Sequence, residues 1–260
     1  MKKYFAVADT HSFYGQLVHT LRDSGFDKMN SDHIVIICGD AFDRGDFSLE
    51  MFEWMKQMVE DNRLIYIRGN HEDLLEDCVH SIFRRQEIQY HHISNGTINT
   101  IADLVGCSKY DILCYTFDWK TFEFKMNEVL EFINKHSVDY FELGNTIFVH
   151  GWVPTTIDEN NVEIVHSNFR DGDWRKSRWS NGMDSWMQGI TIPEKTIVCG
   201  HWSTSYAWCI FEKQCEREFG PGSIFNTYVK NGIVALDACT AYSMQMNCAV
   251  FDDTGKLISY

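Results

Sequence analysis

Five polar segments, each directly after an apolar run, constrain this chain more than any other feature of its sequence. The apolar runs read as β-strands at residues 4–8, 33–38, 63–68, 146–149 and 196–199. The polar segments that follow them begin at Asp9, Gly39, Gly69, His150 and Gly200. Side chains that follow the carboxyl ends of strands gather at one edge of a sheet, where open α/β folds place their sites. We therefore expect one site assembled from segments that are far apart along the chain.

The order of the elements indicates an α/β fold with mixed sheets. Early in the chain, strands alternate with helices near residues 12–24 and 48–61 and from about Glu72, which implies parallel strands with right-handed crossovers. Ser12 reads as the N-cap of the first helix and Gly25 as its terminator. Later strands suggest a second sheet packed on the first, and they are expected at residues 232–237, 247–252 and 256–260.

The length of 260 residues is compatible with a single domain, residues 1–260, that buries a substantial core. The alternating pattern weakens between about residues 91 and 145, where only a helix near residues 124–135 stands out. We expect this stretch, 91–145, to form a cap or insertion on the domain.

Charge and cysteine usage exclude several classes of protein. A net charge of −14 leaves no basic stripe to displace counterions, so we expect no binding to nucleic-acid duplexes. The nine cysteines are scattered without a CxxC pair, which is typical of buried, reduced thiols. The first apolar run is too short for a signal peptide, and no run approaches the roughly 20 residues of a membrane span. We expect a cytoplasmic protein that does not engage a membrane.

The five segments supply six side chains suited to binding metal. Asp9 and His11 stand two apart in an extended segment, so both can reach one ion. Asp40 follows the next strand, and its two oxygens can serve two ions. The six candidate ligands are Asp9, His11, Asp40, Asn70, His150 and His201. Mixed carboxylate and imidazole ligands suit Mn²⁺, Fe or Zn²⁺, with Mn²⁺ preferred here. Two such ions can clamp a phosphoryl group and convert a bridging water to an attacking hydroxide.

Phosphoryl transfer also requires a cation for the phosphate oxygens and an acid for the leaving group. Arg44 stands four residues after Asp40, where its guanidinium can fork onto a phosphate. His71 is a candidate general acid, with Asp43 as the residue that orients and charges it. A second cationic clamp is expected from Arg175 or Arg178.

These motifs resemble those of the calcineurin-like metallophosphoesterases. The Asp-Arg-Gly ending of the segment GDAFDRG at residues 39–45 resembles the PPP branch, which contains bacterial and phage-type serine/threonine phosphatases and diadenosine tetraphosphate hydrolases. The resemblance covers nearly the whole chain and is weakest at residues 91–145 and 203–230. It implies a four-layer α/β/β/α sandwich with a binuclear metal centre at the carboxyl ends of the strands.

The resemblance also implies a role for each matching side chain. Asp9, His11 and Asp40 would bind the first metal, and Asp40 would be shared with the second. The second metal would also take Asn70, His150 and His201. Arg44 would bind phosphate, while His71 and Asp43 would protonate the leaving group.

Three functions compete. The leading interpretation is a metal-dependent phosphomonoesterase that resembles a protein phosphatase and acts on phosphorylated protein. The alternative is a dinucleoside polyphosphate hydrolase or another nucleotide hydrolase. Six of the eight tryptophans lie between Trp152 and Trp208, where they could stack on a base or simply pack the core and rim. A catalytically dead scaffold on the same fold is the remote third interpretation, because a fold alone does not fix function.

Overall fold

The computed structural model describes residues 2–260, and two mixed β-sheets lie at its centre. Numbered along the chain, the strands are β1 (Lys3–Val7), β2 (His33–Cys38), β3 (Leu64–Ile67), β4 (Ser137–Val138), β5 (Phe141–Leu143), β6 (Thr146–Phe148), β7 (Thr155–Ile157), β8 (Glu163–Val165), β9 (Thr196–Cys199), β10 (Tyr228–Lys230), β11 (Ile233–Ala235), β12 (Ala249–Phe251) and β13 (Leu257–Ser259). The first sheet has the order β13-β12-β1-β2-β3-β4, and the second has the order β10-β11-β9-β6-β5. Strands β7 and β8 form a separate antiparallel pair.

Both sheets mix parallel and antiparallel pairs. In the first sheet β1 to β4 are parallel to one another, with Tyr4 opposite Ile34, while β12 and β13 are antiparallel additions at one edge. In the second sheet β9 lies between β6 and β11 and is parallel to both. The parallel centres of the two sheets therefore each present a row of strand ends, as the early alternation of strands and helices predicts.

Alternating side chains of each strand enter different apolar layers. In β1, Tyr4 and Ala6 lie in the cluster between the two sheets, whereas Phe5 and Val7 pack on the helical side. In β11, Val234 faces the layer between the sheets and Ile233 faces the opposite side. Because successive strand side chains point to opposite faces, each sheet is buried on both faces. The predicted α/β/β/α layering is confirmed.

Ten α-helices and two irregular turns complete the fold among residues 2–260. The helices are α1 (Tyr14–Asp23), α2 (Ser48–Glu60), α3 (Asn70–Phe83), α4 (Tyr90–Ser94), α5 (Thr97–Val105), α6 (Lys109–Cys114), α7 (Trp119–His136), α8 (Trp174–Ser177), α9 (Gly182–Met187) and α10 (Thr240–Ser243). A 3₁₀ turn spans Phe169–Asp171, and a π-helical turn spans Ala207–Phe211. None of the helices in the described part of the chain is long and apolar enough to cross a membrane.

Two local predictions need correction. Ser12 does not cap α1: the residue at the N-cap is Phe13, and the Ser12 hydroxyl instead lies 2.9 Å from the hydroxyl of Ser48. Between residues 91 and 145 only one helix was predicted, near residues 124–135, whereas the structure has α4, α5 and α6 there as well as α7. Ile101, Phe122 and Val129 enter the same apolar cluster as Phe5 of β1. Short helices are hard to predict from sequence because tertiary packing, more than helix propensity, stabilises them.

Candidate metal centre

The polar segments meet at one edge of the sandwich. Asp9 lies just past β1, Asp40 past β2, His150 past β6 and His201 past β9, and Asn70 begins α3 after β3. Ligand atoms of His11, Asp40 and His71 lie within 4.8 Å of one another, and so do those of Asp40, His150 and His201. Asp40 therefore belongs to both groups.

The backbone at this edge adopts a conformation that ordinary residues avoid. Four of the candidate ligands have positive φ: Asp9 at 50°, His11 at 45°, Asp40 at 54° and His201 at 67°. Left-handed backbone at a non-glycine residue costs free energy of order 1–3 kcal/mol and tends to cluster at functional sites. The surrounding packing must hold these residues in the left-handed conformation, because their intrinsic backbone preference is for negative φ.

Asp40 is the centre of the cluster. Its Oδ1 accepts a hydrogen bond from the His71 amide at 2.9 Å and lies 3.3 Å from His150 Nε2. Its Oδ2 lies 3.9 Å from the Nε2 atoms of both His11 and His71. The two oxygens thus face different sets of imidazoles, as expected for a carboxylate shared between two cations.

Backbone carbonyls orient two of the imidazoles. His11 Nδ1 lies 2.7 Å from the Phe42 carbonyl, and His150 Nδ1 lies 2.9 Å from the Cys38 carbonyl. A carbonyl can only accept, so each Nδ1 must carry the proton and Nε2 is left to bind an ion. His150 Nε2 also lies 2.8 Å from Asn70 Oδ1, which brings the predicted amide ligand to the same place.

Asp9 is held by the segment after β9. Its Oδ2 accepts a hydrogen bond from the His201 amide at 2.8 Å. A Cβ on Gly200 would collide with that same oxygen, and a Cβ on Gly69 would collide with Asp40 Oδ1. Glycine at these two positions therefore lets the backbone approach the carboxylates without displacing them.

The buried charges of the cluster shift one another's pKa values. Burial, followed by the neighbouring charge of Asp237, raises the pKa of Asp9 well above its usual range. Burial also opposes the ionised form of Asp40, but the charge of His150 outweighs it and holds the pKa of Asp40 well below its usual range. His150 is buried as well, yet Asp40 and Asp9 raise its pKa to about 10. Buried carboxylates are costly unless a proton or a metal neutralises them, so this donor set fits divalent ions.

A hydrogen-bonded dyad lies beside the cluster. His71 Nδ1 lies 2.7 Å from Asp43 Oδ2, and Thr97 donates its hydroxyl proton to the same oxygen at 2.8 Å. Burial alone would lower the pKa of His71, but Asp40 and Asp43 outweigh it and raise that pKa above its ordinary value. His71 Nε2 is then directed away from Asp43, where it can hold a transferable proton.

The Arg44 guanidinium lies beside His71. Its Nη2 lies 3.3 Å from His71 Nε2. Both atoms are donors when His71 is protonated, so an acceptor placed between them would satisfy both. A phosphate oxygen is such an acceptor.

The structure does not bring Arg175 or Arg178 to the cluster. Arg178 forms ion pairs with Asp73 at 2.7 Å and with Asp139 at 2.5 Å, and its side chain is largely buried. Arg175 lies at the surface, 2.9 Å from Asp77. Among the described residues, neither guanidinium contacts a candidate metal ligand.

Sequence analysis missed three supporting side chains. Glu72 accepts from the amides of Asp40, Ala41 and Gly69 at 2.7 to 3.0 Å and so fixes the turns that carry the ligands. Asp237 comes shortly after β11, as the candidate ligands come after their strands, and this position could have identified it from sequence. Burial raises the pKa of Asp237 to about 6. Thr97 lies in α5, inside the weakly patterned region, and carried no signal.

A donor cluster of this kind at the strand ends of a two-sheet sandwich defines a metal-dependent phosphoric ester hydrolase. The chain belongs to the calcineurin-like phosphoesterases, whose family model matches residues 2–236. This confirms the predicted resemblance and the predicted enzyme class. No curated protein matches the chain significantly.

Several solved structures are similar to this chain at low sequence identity. A cold-active protein-tyrosine phosphatase from a psychrophilic Shewanella species is 16% identical, with a TM-score of 0.53, and the match covers 100% of this chain and 80% of that one. A candidate diadenosine tetraphosphatase is 13% identical, with a TM-score of 0.47 and coverage of 100% and 93%. A serine/threonine phosphatase from Saccharomyces cerevisiae is 16% identical, with a TM-score of 0.46 and coverage of 77% and 61%. The Shewanella phosphatase, with a TM-score above 0.5, supports the fold, and at 16% identity it leaves the substrate open.

Proposed function

We propose that this chain is a phosphomonoesterase of the PPP type that works with two divalent ions, Mn²⁺ being the first choice and Fe or Zn²⁺ the alternatives. The observation that carries the proposal is the membership of Asp40 in both ligand groups. His11 and Asp9 would complete one site with Asp40, and Asn70, His150 and His201 would complete the other. When bound, such ions supply Lewis acidity and lower the pKa of coordinated water.

The protein's own side chains account for the remaining chemistry. Arg44 would bind a non-bridging phosphate oxygen through its Nη2, which is already 3.3 Å from the acid nitrogen. His71 would donate its Nε2 proton to the leaving oxygen and become a neutral imidazole. Asp43 would stabilise the protonated imidazole before the transfer and keep the remaining proton on Nδ1. Thr97 would keep Asp43 in place.

His71 has a second possible role. It falls within 4.8 Å of His11 and Asp40 and so satisfies the geometry of a ligand as well as that of an acid. The hydrogen bond to Asp43 supports the acid, because a carboxylate partner raises the basicity of the imidazole and fixes its tautomer. Arg175 and Arg178 remain candidates for a second phosphate clamp only if substrate draws them away from Asp77, Asp73 and Asp139.

Three further expectations belong to this proposal. Nine free cysteines support a reducing compartment, and we place the enzyme in the cytoplasm. The net charge of −14 supports the expectation that nucleic-acid duplexes are not partners. The complete ligand set argues against the catalytically dead scaffold.

The test compares Mn²⁺-dependent initial rates on a phosphoserine peptide and on diadenosine tetraphosphate. Preference for the peptide supports the monoesterase. Preference for the dinucleotide replaces it with the nucleotide hydrolase. Loss of both activities in protein that holds two ions per chain would overturn the proposed function.

A further inference from the structure

Two exposed tryptophans flank the outermost candidate ligand. Trp179 is 51% exposed and Trp202 is 40% exposed, whereas Trp152 and Trp174 are buried at 0% and 6%. The ring of Trp179 lies 5.9 Å from that of His201 at an interplanar angle of 80°, and the ring of Trp202 lies 6.2 Å away at 59°. We refer to Trp179 and Trp202 as the tryptophan pair.

The tryptophan pair stands at the mouth of the site. His150 is 1% exposed at the bottom, and its ring lies 5.1 Å from that of the half-buried His201. Exposure thus increases from His150 to His201 and then to the two indoles. The two rings therefore border the solvent-facing side of His201, where the rest of a substrate bound through its phosphate can contact them.

The residues next to both indoles are held by hydrogen bonds or ion pairs. Trp202 contacts the ring of Tyr206 at 6.3 Å and 81°, and the Tyr206 hydroxyl donates to Asp184 at 2.7 Å. Trp179 follows Arg178, whose ion pairs with Asp73 and Asp139 tie this segment to α3 and to the loop after β4. The rings are therefore held at the mouth by buried or paired neighbours.

Four of the other six tryptophans differ from this pair in the hydrogen bonding of the indole N–H. Trp152, Trp174, Trp186 and Trp208 each donate their Nε1 proton to a backbone carbonyl, at 2.9 to 3.2 Å. Within residues 2–260, neither Trp179 nor Trp202 has a hydrogen-bond partner for its indole. A large apolar face with a free donor at the mouth of a polar site suits an aromatic ligand that also carries polar groups.

We propose that the tryptophan pair binds an aromatic ring in the group that is esterified to the substrate's phosphate, so that the enzyme prefers phosphate monoesters that contain an aromatic ring to those that do not. This inference rests on the proposed phosphomonoesterase function and narrows its substrate class. Two sources can supply such a ring, namely a tyrosyl side chain and a nucleobase. Stacking on tryptophan is tolerant of ring identity, because every aromatic ring offers a π-face.

Two matched substrate pairs test the proposal on the full chain with Mn²⁺. The first is one peptide carrying either phosphotyrosine or phosphoserine, and the second is AMP against ribose 5-phosphate, which differ by the base. In Trp179→Leu and Trp202→Leu we expect kcat/KM on the aromatic member to fall about 5- to 150-fold, from the usual range for stacking on an aromatic side chain. The loss should appear mainly in KM, because stacking contributes equally to the bound and transition states. The aliphatic members should change less than about twofold.

The control is Trp54→Leu, a partly buried tryptophan packed against the α1–α2 side of the fold. It should leave both members of each pair unaffected. The substrate pair whose aromatic member loses more activity identifies whether the ring is a tyrosyl side chain or a nucleobase. Equal effects on aromatic and aliphatic members, or no effect on either, would overturn the role of the tryptophan pair.

Binding separates failure of this inference from failure of the proposed function. Calorimetric titration with AMP and with ribose 5-phosphate needs no turnover. Tighter binding of AMP that is lost in both tryptophan variants, without hydrolysis of any of the four substrates, would retain the aromatic site and reject the phosphomonoesterase. Hydrolysis of all four substrates, with equal affinity for AMP and ribose 5-phosphate and no preference within either pair, would reject the aromatic site and retain the phosphomonoesterase.

Discussion

Replacing Asp40 by asparagine tests the shared-ligand assignment most directly. Asparagine keeps the carbonyl oxygen that accepts the His71 amide at 2.9 Å, so the fold of the turn should survive. It removes the negative charge that faces His150 Nε2 at 3.3 Å and His11 Nε2 at 3.9 Å. Loss of a partner that only orients a ligand typically costs about 10–100-fold in metal affinity, so loss of a shared ligand should cost at least about 100-fold.

The expected magnitude follows from ligand linkage. Mn²⁺ at about 100 times its Kd stabilises the wild type by about 2.7 kcal/mol, and a 100-fold weaker Kd leaves about 0.4 kcal/mol. For a chain of this size, about 1 kcal/mol corresponds to about 2–4 °C in Tm. Mn²⁺ should therefore raise the Tm of the wild type by about 5–10 °C and that of Asp40→Asn by about 1 °C.

The assay is thermal unfolding with excess Mn²⁺ and with chelator, together with metal content by mass spectrometry. Asp253→Asn is the matched control, because Asp253 is exposed in the turn between β12 and β13 and should retain the full Mn²⁺ effect. Two ions per chain in Asp40→Asn, with a Tm rise equal to that of the wild type, would refute the reasoning.

Three further predictions concern the same edge of the fold. His71→Asn should keep both ions but lose most turnover on alkyl phosphates and less on an activated phenyl phosphate, whose leaving group needs no proton; loss of metal would instead make His71 a ligand. Gly69→Ala should weaken Mn²⁺ binding in titrations because its Cβ meets Asp40 Oδ1, whereas Gly15→Ala, with open space around it in α1, should bind Mn²⁺ normally. In urea unfolding, Arg178→Met should cost about 1–3 kcal/mol because it removes the donor to one oxygen of the buried Asp73 carboxylate. Arg175→Met should cost less than about 1 kcal/mol at its exposed pair, and equal costs would contradict these environments.

The sequence predicted the strand ends well because two signals agreed there. Runs such as residues 33–38 are apolar throughout, as strands buried on both faces must be, and each ends in a polar residue with metal-binding chemistry. Strands β12 and β13 were also predicted, at residues 247–252 and 256–260, but they join the edge of the first sheet and not the second sheet as expected. Helices α4 to α6 escaped prediction because they are only 5, 9 and 6 residues long.

The sequence by itself determined the two-layered strand pattern, the six candidate ligands and the family. These depend on residue type and on position after a strand, which are local properties of the chain. Only the tertiary structure showed that Asp40 lies close to two sets of histidines. It also showed that Glu72 binds the backbone of the ligand-bearing turns, and that Arg178 forms ion pairs with Asp73 and Asp139. It also decided which tryptophans are buried and which line the mouth of the site. Burial and ion pairing depend on contacts between residues that are distant in sequence. No local sequence pattern specifies which of these residues will be in contact.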